Sequence, residues 1–290
     1  MAGRHRPDMG LVPTATVLLN LARGHCHLDL GGVYTADIIF GSSPDTREGK
    51  ELAETLDGKV AVVTGAGSGI GRAVAESFRN AGMRVVVNGR SAKKLATYTP
   101  GDDLVAVAAD IALPDTAERL LETAKQRFGG CEIFVNNAGV VEQGSIDDID
   151  IDAMCAMVRV NVEAAFRAAY VFARHLRAKG TGHLITTSSI LGTKVRPIIG
   201  AYAGTKYAVE AMTEGLRMDL ADTDVKVSCI QPGLVMTDLH DHMSVHPKDA
   251  IGMHEPLTPR DIAECVMFMV TRPRNVFIPR MMIVPKETAM

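Results

Sequence analysis

KVAVVTGAGSGIGRAVAESFRNAG, Lys59 to Gly82, is the stretch that decides the fold. Its first six residues form a short apolar, β-branched run, the composition of a strand buried on both faces of a parallel sheet. Glycines follow at a GxxxGxG spacing (Gly65, Gly69, Gly71), with Ser68 and Ile70 among them, and RAVAESFRNAG continues as a helix. Strand, glycine turn and helix in that order make an anion site. Backbone N–H groups and the positive end of the helix dipole face the phosphates there. Glycine serves where backbone approaches phosphate and where helix packs tightly on strand. The spacing is not the common GxGxxG, and glycine turns also occur as plain structural turns.

Working outward, apolar runs recur with helical segments between them. MRVVVN (Met83 to Asn88) predicts a second strand, ending in Gly89, Arg90 and Ser91. A carboxylate at that strand end would accept from the adenine ribose of NAD. Here a small residue is followed by a guanidinium and a hydroxyl, which suit a 2′-phosphate, so NADP is expected over NAD. A solvated basic turn that opens a helix is the plainer reading of the same residues. LVAVAA (Leu104 to Ala109) ends in Asp110 and Ile111; Asp110 either accepts from an adenine amino group or caps the following helix, Pro114 to Gly130. CEIFV (Cys131 to Val135) runs into Asn136, Asn137, Ala138 and Gly139, small and amide residues suited to lining a crevice. Asn161 lies in an apolar turn of a helix expected from Ile151 to Lys179. An unpaired buried amide costs about 1–3 kcal/mol, so it is either a structural bridge or a functional group.

The chemistry concentrates in HLITTSSILG (His183 to Gly192) and AYAGTKYAVEA (Ala201 to Ala211). The first is a buried strand running into Ser188 and Ser189. The second is a helix in which Tyr202 and Lys206 lie one turn apart on one face. A phenol beside an ammonium, near a serine hydroxyl, makes a proton-transfer site. A sixth strand, DVKVSCI, precedes Gln231, Pro232 and Gly233, then Val235 and Thr237. The polar stretch Met236 to Leu257 carries His240, His242, His246 and His254; a lid is expected there rather than a metal site. Arg260 to Val270 is an amphipathic helix, and Asn275 to Pro285 holds a last strand.

Composition bounds the function. The chain has 290 residues, a formal charge of -3 and no tryptophan, which offers no basic face or stacking platform for nucleic acid. No apolar run approaches the ~20 residues of a membrane span. Five cysteines, widely spaced and without a CxxC pair, suit a reducing, cytoplasmic setting. Residues 1–55 are unlike the rest and are expected to be an N-terminal extension of uncertain order before a domain at 56–290. The His25-Cys26-His27 cluster there is expected to be exposed or loosely packed, and Gly41 to Lys50 a linker.

From about Leu56 to Pro285 the chain resembles the short-chain dehydrogenase/reductase family. The resemblance rests on TGxxxGIG at Thr64 to Gly71, NNAG at Asn136 to Gly139, the helix residue Asn161 and a serine at Ser189. YxxxK at Tyr202 to Lys206 and PG at Pro232-Gly233 with Thr237 complete it. The C-terminal DIAECVMFMVTRPRNV is similar to a subgroup acting on small hydroxy acids, aldehydes and sugar alcohols, including ribitol-dehydrogenase-like proteins. The resemblance implies an α/β fold, a single Rossmann-like doubly wound parallel sheet of order 3-2-1-4-5-6-7. It implies catalytic Ser189, Tyr202, Lys206 and Asn161, the last anchoring a water, and hydride transfer between NADP(H) and a small alcohol or carbonyl. Cofactor contacts would come from Gly65, Ser68, Gly69, Ile70, Gly71, Arg90, Ser91, Asp110, Ile111, Asn137, Ala138, Gly139, Tyr202, Lys206, Pro232, Gly233, Val235 and Thr237. Lys206 is expected to lower the Tyr202 pKa. Lys194 and Arg196, expected near the pocket, favour a small polar substrate or are simply solvated loop residues. A homo-oligomer, tetramer or dimer, is implied. The rivals are an NAD-dependent polyol dehydrogenase and a catalytically silent dinucleotide-binding sensor.

Overall fold

Seven parallel strands carry the domain, and the central ones are buried on both faces. The computed structural model describes residues 54–288 apart from 244, and the backbone of three strands nearer the N-terminus. Those three are β1 (Thr16–Asn20), β2 (His25–Asp29) and β3 (Thr35–Ile39), an antiparallel meander within a unit that spans Met1–Glu51. Cys26 lies in β2. The stretch taken as a linker, 41–50, lies outside the described residues, as do the side chains of the His25-Cys26-His27 cluster.

The second unit, Leu52–Met290, holds β4 (Val60–Val63), β5 (Arg84–Gly89), β6 (Leu104–Ala108), β7 (Ile133–Asn136), β8 (Thr181–Thr187), β9 (Asp224–Pro232) and β10 (Arg280–Ile283). They pair in the order β10-β9-β8-β7-β4-β5-β6. Counted from β4, this is 3-2-1-4-5-6-7, a Rossmann-like doubly wound sheet. The order reverses beside β4, which pairs in parallel with both β5 and β7 and leaves a crevice at the carboxyl ends of the strands.

Alternate residues of each strand serve opposite faces. Val62, Phe134, Leu184 and Val227 pack under α3 (Thr116–Phe128), α5 (Ala165–Lys179) and α6 (Gly200–Asp219), where Phe134 stacks on Phe172 at 3.8 Å. Their neighbours Val63, Val135, Ile185 and Ile230 pack under α1 (Gly69–Asn80) and α8 (Pro259–Val270). Between these layers lie the short helices α2 (Ala92–Leu95) and α7 (Pro247–Ala250), with α4 (Ile151–Val158) leading towards α5. The segment expected as one helix from Ile151 to Lys179 is continuous but not uniform: Arg159–Ala164 is a π-helical turn, and it carries Asn161. Among the described residues no helix is long and apolar enough to cross a membrane.

Candidate active site

The glycine turn after β4 has no space for side chains at Gly65 and Gly71. A Cβ on Gly71 would fall 2.5 Å from the Gly65 carbonyl oxygen and 2.6 Å from Asn137 Nδ2. Gly65 adopts φ +65°, and a Cβ there would meet Ala138 Cα at 2.8 Å. The turn is braced from β7. Thr64 Oγ1 accepts from the N–H groups of Asn137 and Ala138 at 3.0 Å, and Asn137 Nδ2 donates to the Thr64 carbonyl at 3.0 Å. Asn137 is thus a strut of the crevice and lies outside its lining.

A recess of about 230 Å³ opens against this turn. Gly65, Ser68, Arg90, Ser91, Asp110, Ile111, Ala138 and Gly139 line it. Gly69, Ile70 and Gly71 lie behind, in the first turn of α1. At the β5 end Ser91 caps α2 by accepting from the Lys94 N–H, while Arg90 is exposed at the recess. Asp110 does not cap α3, whose N-cap is Asp115; its Oδ1 accepts from the Ala112 N–H and closes the turn after β6. The reason is distance along the chain, since Thr116 begins the helix six residues later and uses its hydroxyl to hold the Asp110 carbonyl.

Three supports of the recess have no local signature in the sequence. Asn88, 1% exposed, donates to the carbonyls of Val107 and Ala109 and ties β5 to β6. Tyr98 is buried and donates to the Ala66 carbonyl at 2.7 Å, with Arg72 over its ring. Lys94 pairs with Asp238 at 2.6 Å, linking α2 to the segment after β9 and holding the Asp238 carboxyl below the usual range.

A larger cavity, about 470 Å³, adjoins the ends of β8 and β9. Ser189 and Tyr202 line it together with Pro232, Gly233, Val235 and Thr237. Ser189 follows β8 and caps a 3-10 turn, Ile190–Gly192, by accepting from the Leu191 N–H at 3.1 Å. Its hydroxyl also faces the Tyr202 phenol, and that proximity favours the phenolate. The Ser188 hydroxyl sits beside Gly192 and Cys229 and is not bonded to the phenol. The two serines are therefore not equivalent. Thr237 caps the turn Asp238–His240 with its own hydroxyl.

Lys206 and Asn161 lie behind this wall. The Lys206 ammonium donates to the Thr187 carbonyl at 3.0 Å and sits 5.6 Å from the Tyr202 ring centre. A Cβ on Gly139 would stand 3.8 Å from it, so it faces the seam between recess and cavity. Asn161 Nδ2 donates to the Val140 carbonyl at 2.8 Å and to Thr205 Oγ1 at 3.2 Å, while Oδ1 accepts from the Val140 N–H. Both of its amide hydrogens are engaged, which makes Asn161 the bridge between the β7 loop and α6.

Electrostatics correct one expectation. Burial pushes the Tyr202 phenol up to about 12, partly offset by the Ser189 hydroxyl. The neighbouring lysine does not bring it below its ordinary value. Removing water from a phenolate disfavours the anion, and the ammonium is turned to a carbonyl. Burial acts on Lys206 too, bringing it down to about 8, against which Cys229 and Glu210 act upward. Glu210, one turn further along α6, is itself buried; it accepts from Gln231 Nε2 at 2.8 Å and faces Arg280 at 3.3 Å.

Comparisons with known proteins agree with this geometry. Residues 59–247 match the short chain dehydrogenase model. An uncharacterized oxidoreductase of Staphylococcus aureus (strain USA300) is 36% identical over 233 residues, 79% of this chain and 98% of the relative. The closed form of a serine dehydrogenase complexed with NADP+ superposes with a TM-score of 0.74 at 25% identity, covering 80% of this chain and 96% of that one. A 3-ketoacyl-(acyl-carrier-protein) reductase from Brucella melitensis complexed with NADH gives 0.71 at 28%, covering 79% and 97%. With its strand order, its braced glycine turn and a paired serine and tyrosine at the sheet's carboxyl end, the chain belongs to the short-chain dehydrogenase family of oxidoreductases.

Proposed function

We propose that the protein is an NADP(H)-dependent oxidoreductase that interconverts a secondary alcohol and a carbonyl. The observation that carries this is the hydroxyl pair Ser189–Tyr202 at the wall of a cavity, with Lys206 beside the phenol ring at its seam with a glycine-lined recess. The recess suits the phosphate and adenosine part of a dinucleotide. Its turn excludes side chains at Gly65 and Gly71, so backbone there can approach a pyrophosphate beside Ser68. Among the described residues no acidic side chain lies within ion-pair distance of Arg90, and Gly89 leaves the β5 end without a carboxylate, which favours the 2′-phosphate of NADP. Related structures contain NADP+ in one case and NADH in another, so the preference rests on Arg90 and Gly89.

Gly65, Ser68, Gly139 and Ala138 would hold the phosphates and the adjoining ribose; Pro232, Gly233, Val235 and Thr237 would hold the nicotinamide end. When bound, the dinucleotide supplies or accepts the hydride, and its oxidised ring adds a positive charge that opposes the burial of the phenolate. Tyr202 gives the substrate oxygen its proton in reduction and takes it back in oxidation. Ser189 donates to that oxygen as charge develops on it. Lys206 keeps a positive charge beside the phenol, and Asn161 holds the Val140 loop and α6 in register. A water at Asn161 would use the remaining lone pair of Oδ1 or the main chain, since both side-chain donors are engaged.

Tyr202→Phe should lower kcat at least 10³-fold, within the range of about 10²–10⁴ that a positioned acid or base contributes, with little change in dinucleotide affinity. Near-full turnover in that variant would refute the role. A polyol dehydrogenase using NAD is supported only by likeness of the C-terminal segment, and a silent sensor would need the Ser189–Tyr202 pair to be idle. The free thiols Cys131, Cys155, Cys229 and Cys265 support a reducing, cytoplasmic setting. Exposed Ile151, Val158, Tyr170, Tyr207 and Met218 on α4 to α6 support pairing of these helices between subunits.

A further inference from the structure

From the walls of the larger cavity we infer that the substrate is an apolar ketone or the matching secondary alcohol, and that Ile198 is a specificity-determining residue; this rests on the function proposed above. The expectation of a small polar substrate drew on Lys194 and Arg196. Lys194 does not line the cavity, and Arg196 stands exposed at its rim. Around Tyr202 the walls are Val141, Leu191, Ile199, Leu239 and Met243, packed as one apolar cluster with the phenol. Apart from Arg196 at the rim, several of the polar groups that reach the cavity are engaged elsewhere or uncharged. Gln143 rests its amide on Met243 Sδ, Glu287 accepts from the His254 N–H, and burial keeps His240 neutral, down to about 4. Among the described residues the unpartnered buried polar atoms at the cavity, Ser188 Oγ, His240 Nδ1 and Thr288 Oγ1, are uncharged and come from three separate segments. The volume lies in the range of roughly 300–1,000 Å³ that receives ligands larger than a triose.

At the mouth the argument sharpens. Ile198, Val245 and Ile251 line the cavity yet are 57%, 56% and 54% exposed. Three large apolar side chains from two different loops thus face one opening with their surface in water. Ile198 is also the one described non-glycine residue with positive φ, +62°, a region hostile to β-branched side chains. The Gly144 N–H holds its carbonyl at 2.9 Å. Strain of this kind persists where the surroundings enforce it, and here it presents hydrocarbon to the opening. In the reduction, the carbonyl carbon gains the hydride, the carbonyl π electrons pass to oxygen, the oxygen takes the Tyr202 proton, and the dinucleotide is left oxidised. The alkyl substituents of that carbon meet the walls named above.

The test is a series of methyl ketones from 2-butanone to 2-decanone, with dihydroxyacetone as the polar comparison, each measured with NADPH and with NADH. kcat/KM should rise about fourfold per methylene until the cavity is filled, the ratio expected for burying one CH₂. Dihydroxyacetone should fall at least tenfold below 2-pentanone. Ile198→Asn, which tolerates the left-handed backbone and removes the hydrocarbon, should reduce the ratio of 2-decanone to 2-butanone. A flat or falling series, or preference for the hydroxylated ketone, overturns this inference and leaves the oxidoreductase reading standing. If nothing is turned over with either dinucleotide, that reading fails, and ligand-induced Tm shifts decide the substrate class. A shift that grows with ketone length retains the apolar class; equal shifts, or none, overturn it.

Discussion

Gly89→Asp tests the basis of cofactor choice most directly, because the site has room for the change. A Cβ at Gly89 would lie 3.4 Å from the Gly67 nitrogen and 3.6 Å from Leu95 Cδ2, both ordinary contacts, so the glycine turn need not move. The new carboxylate would stand at the carboxyl end of β5, beside Arg90 and Ser91, where the ribose of an adenine nucleotide is expected. A carboxylate and a phosphate charge about 5 Å apart repel by roughly 3 kcal/mol at an effective dielectric of about 20. Screening at the open mouth reduces this to about 2 kcal/mol at physiological salt. Charge-assisted hydrogen bonds to the unphosphorylated ribose would add about 1.5–3 kcal/mol in favour of NADH. Together these predict a swing of about 3–5 kcal/mol, a few hundredfold or more, in the ratio of kcat/KM for NADPH to that for NADH. The assay is steady-state kinetics with both cofactors on one ketone, with equilibrium binding of each reduced cofactor as the companion measurement. A ratio that moved less than threefold, with the variant folded and active, would refute the placement of the 2′-phosphate against Arg90.

The remaining predictions use buried groups. His183 is buried in β8, and its Nε2–H donates to Ser228 Oγ at 2.8 Å, whose hydroxyl donates on to the Ile278 carbonyl. Burial brings its pKa down to about 3, so between pH 6.5 and about 3 the unfolded chain binds a proton that the folded chain refuses, and stability falls as pH falls. At pH 5 the loss is about 2 kcal/mol, and His183→Gln, which keeps a donor, should remove that much of the slope of urea-unfolding stability between pH 7 and pH 5. An unchanged slope would refute the assignment. For Lys206, depressed to about 8, Glu210→Gln removes an upward influence, so the alkaline limb of kcat/KM, where Lys206 loses its charge, should move to lower pH. A fixed limb would show that Glu210 serves packing alone.

Much of the site is legible in the sequence because it is written in local spacing. A β-branched run before glycines specifies a buried strand entering a glycine turn, and a spacing of four positions puts Tyr202 and Lys206 on one helix face whatever surrounds them. The resemblance to a family supplied the strand order, and the register of β4 with β5 and β7 realises it. Other features depend on residues distant in the chain. Tyr98 reaches Ala66, and Asn161 reaches both Val140 and Thr205. The three strands of β1 to β3 were hidden in a stretch whose composition read as an extension. Tertiary structure also adds what spacing does not contain: burial raises the phenol, and apolar side chains from several segments join Arg196 in lining the cavity. The physical reason is common to both. Backbone conformation follows from neighbours in the chain, whereas desolvation and the polarity of a cavity sum over every group the fold brings near, and no window of sequence contains that sum.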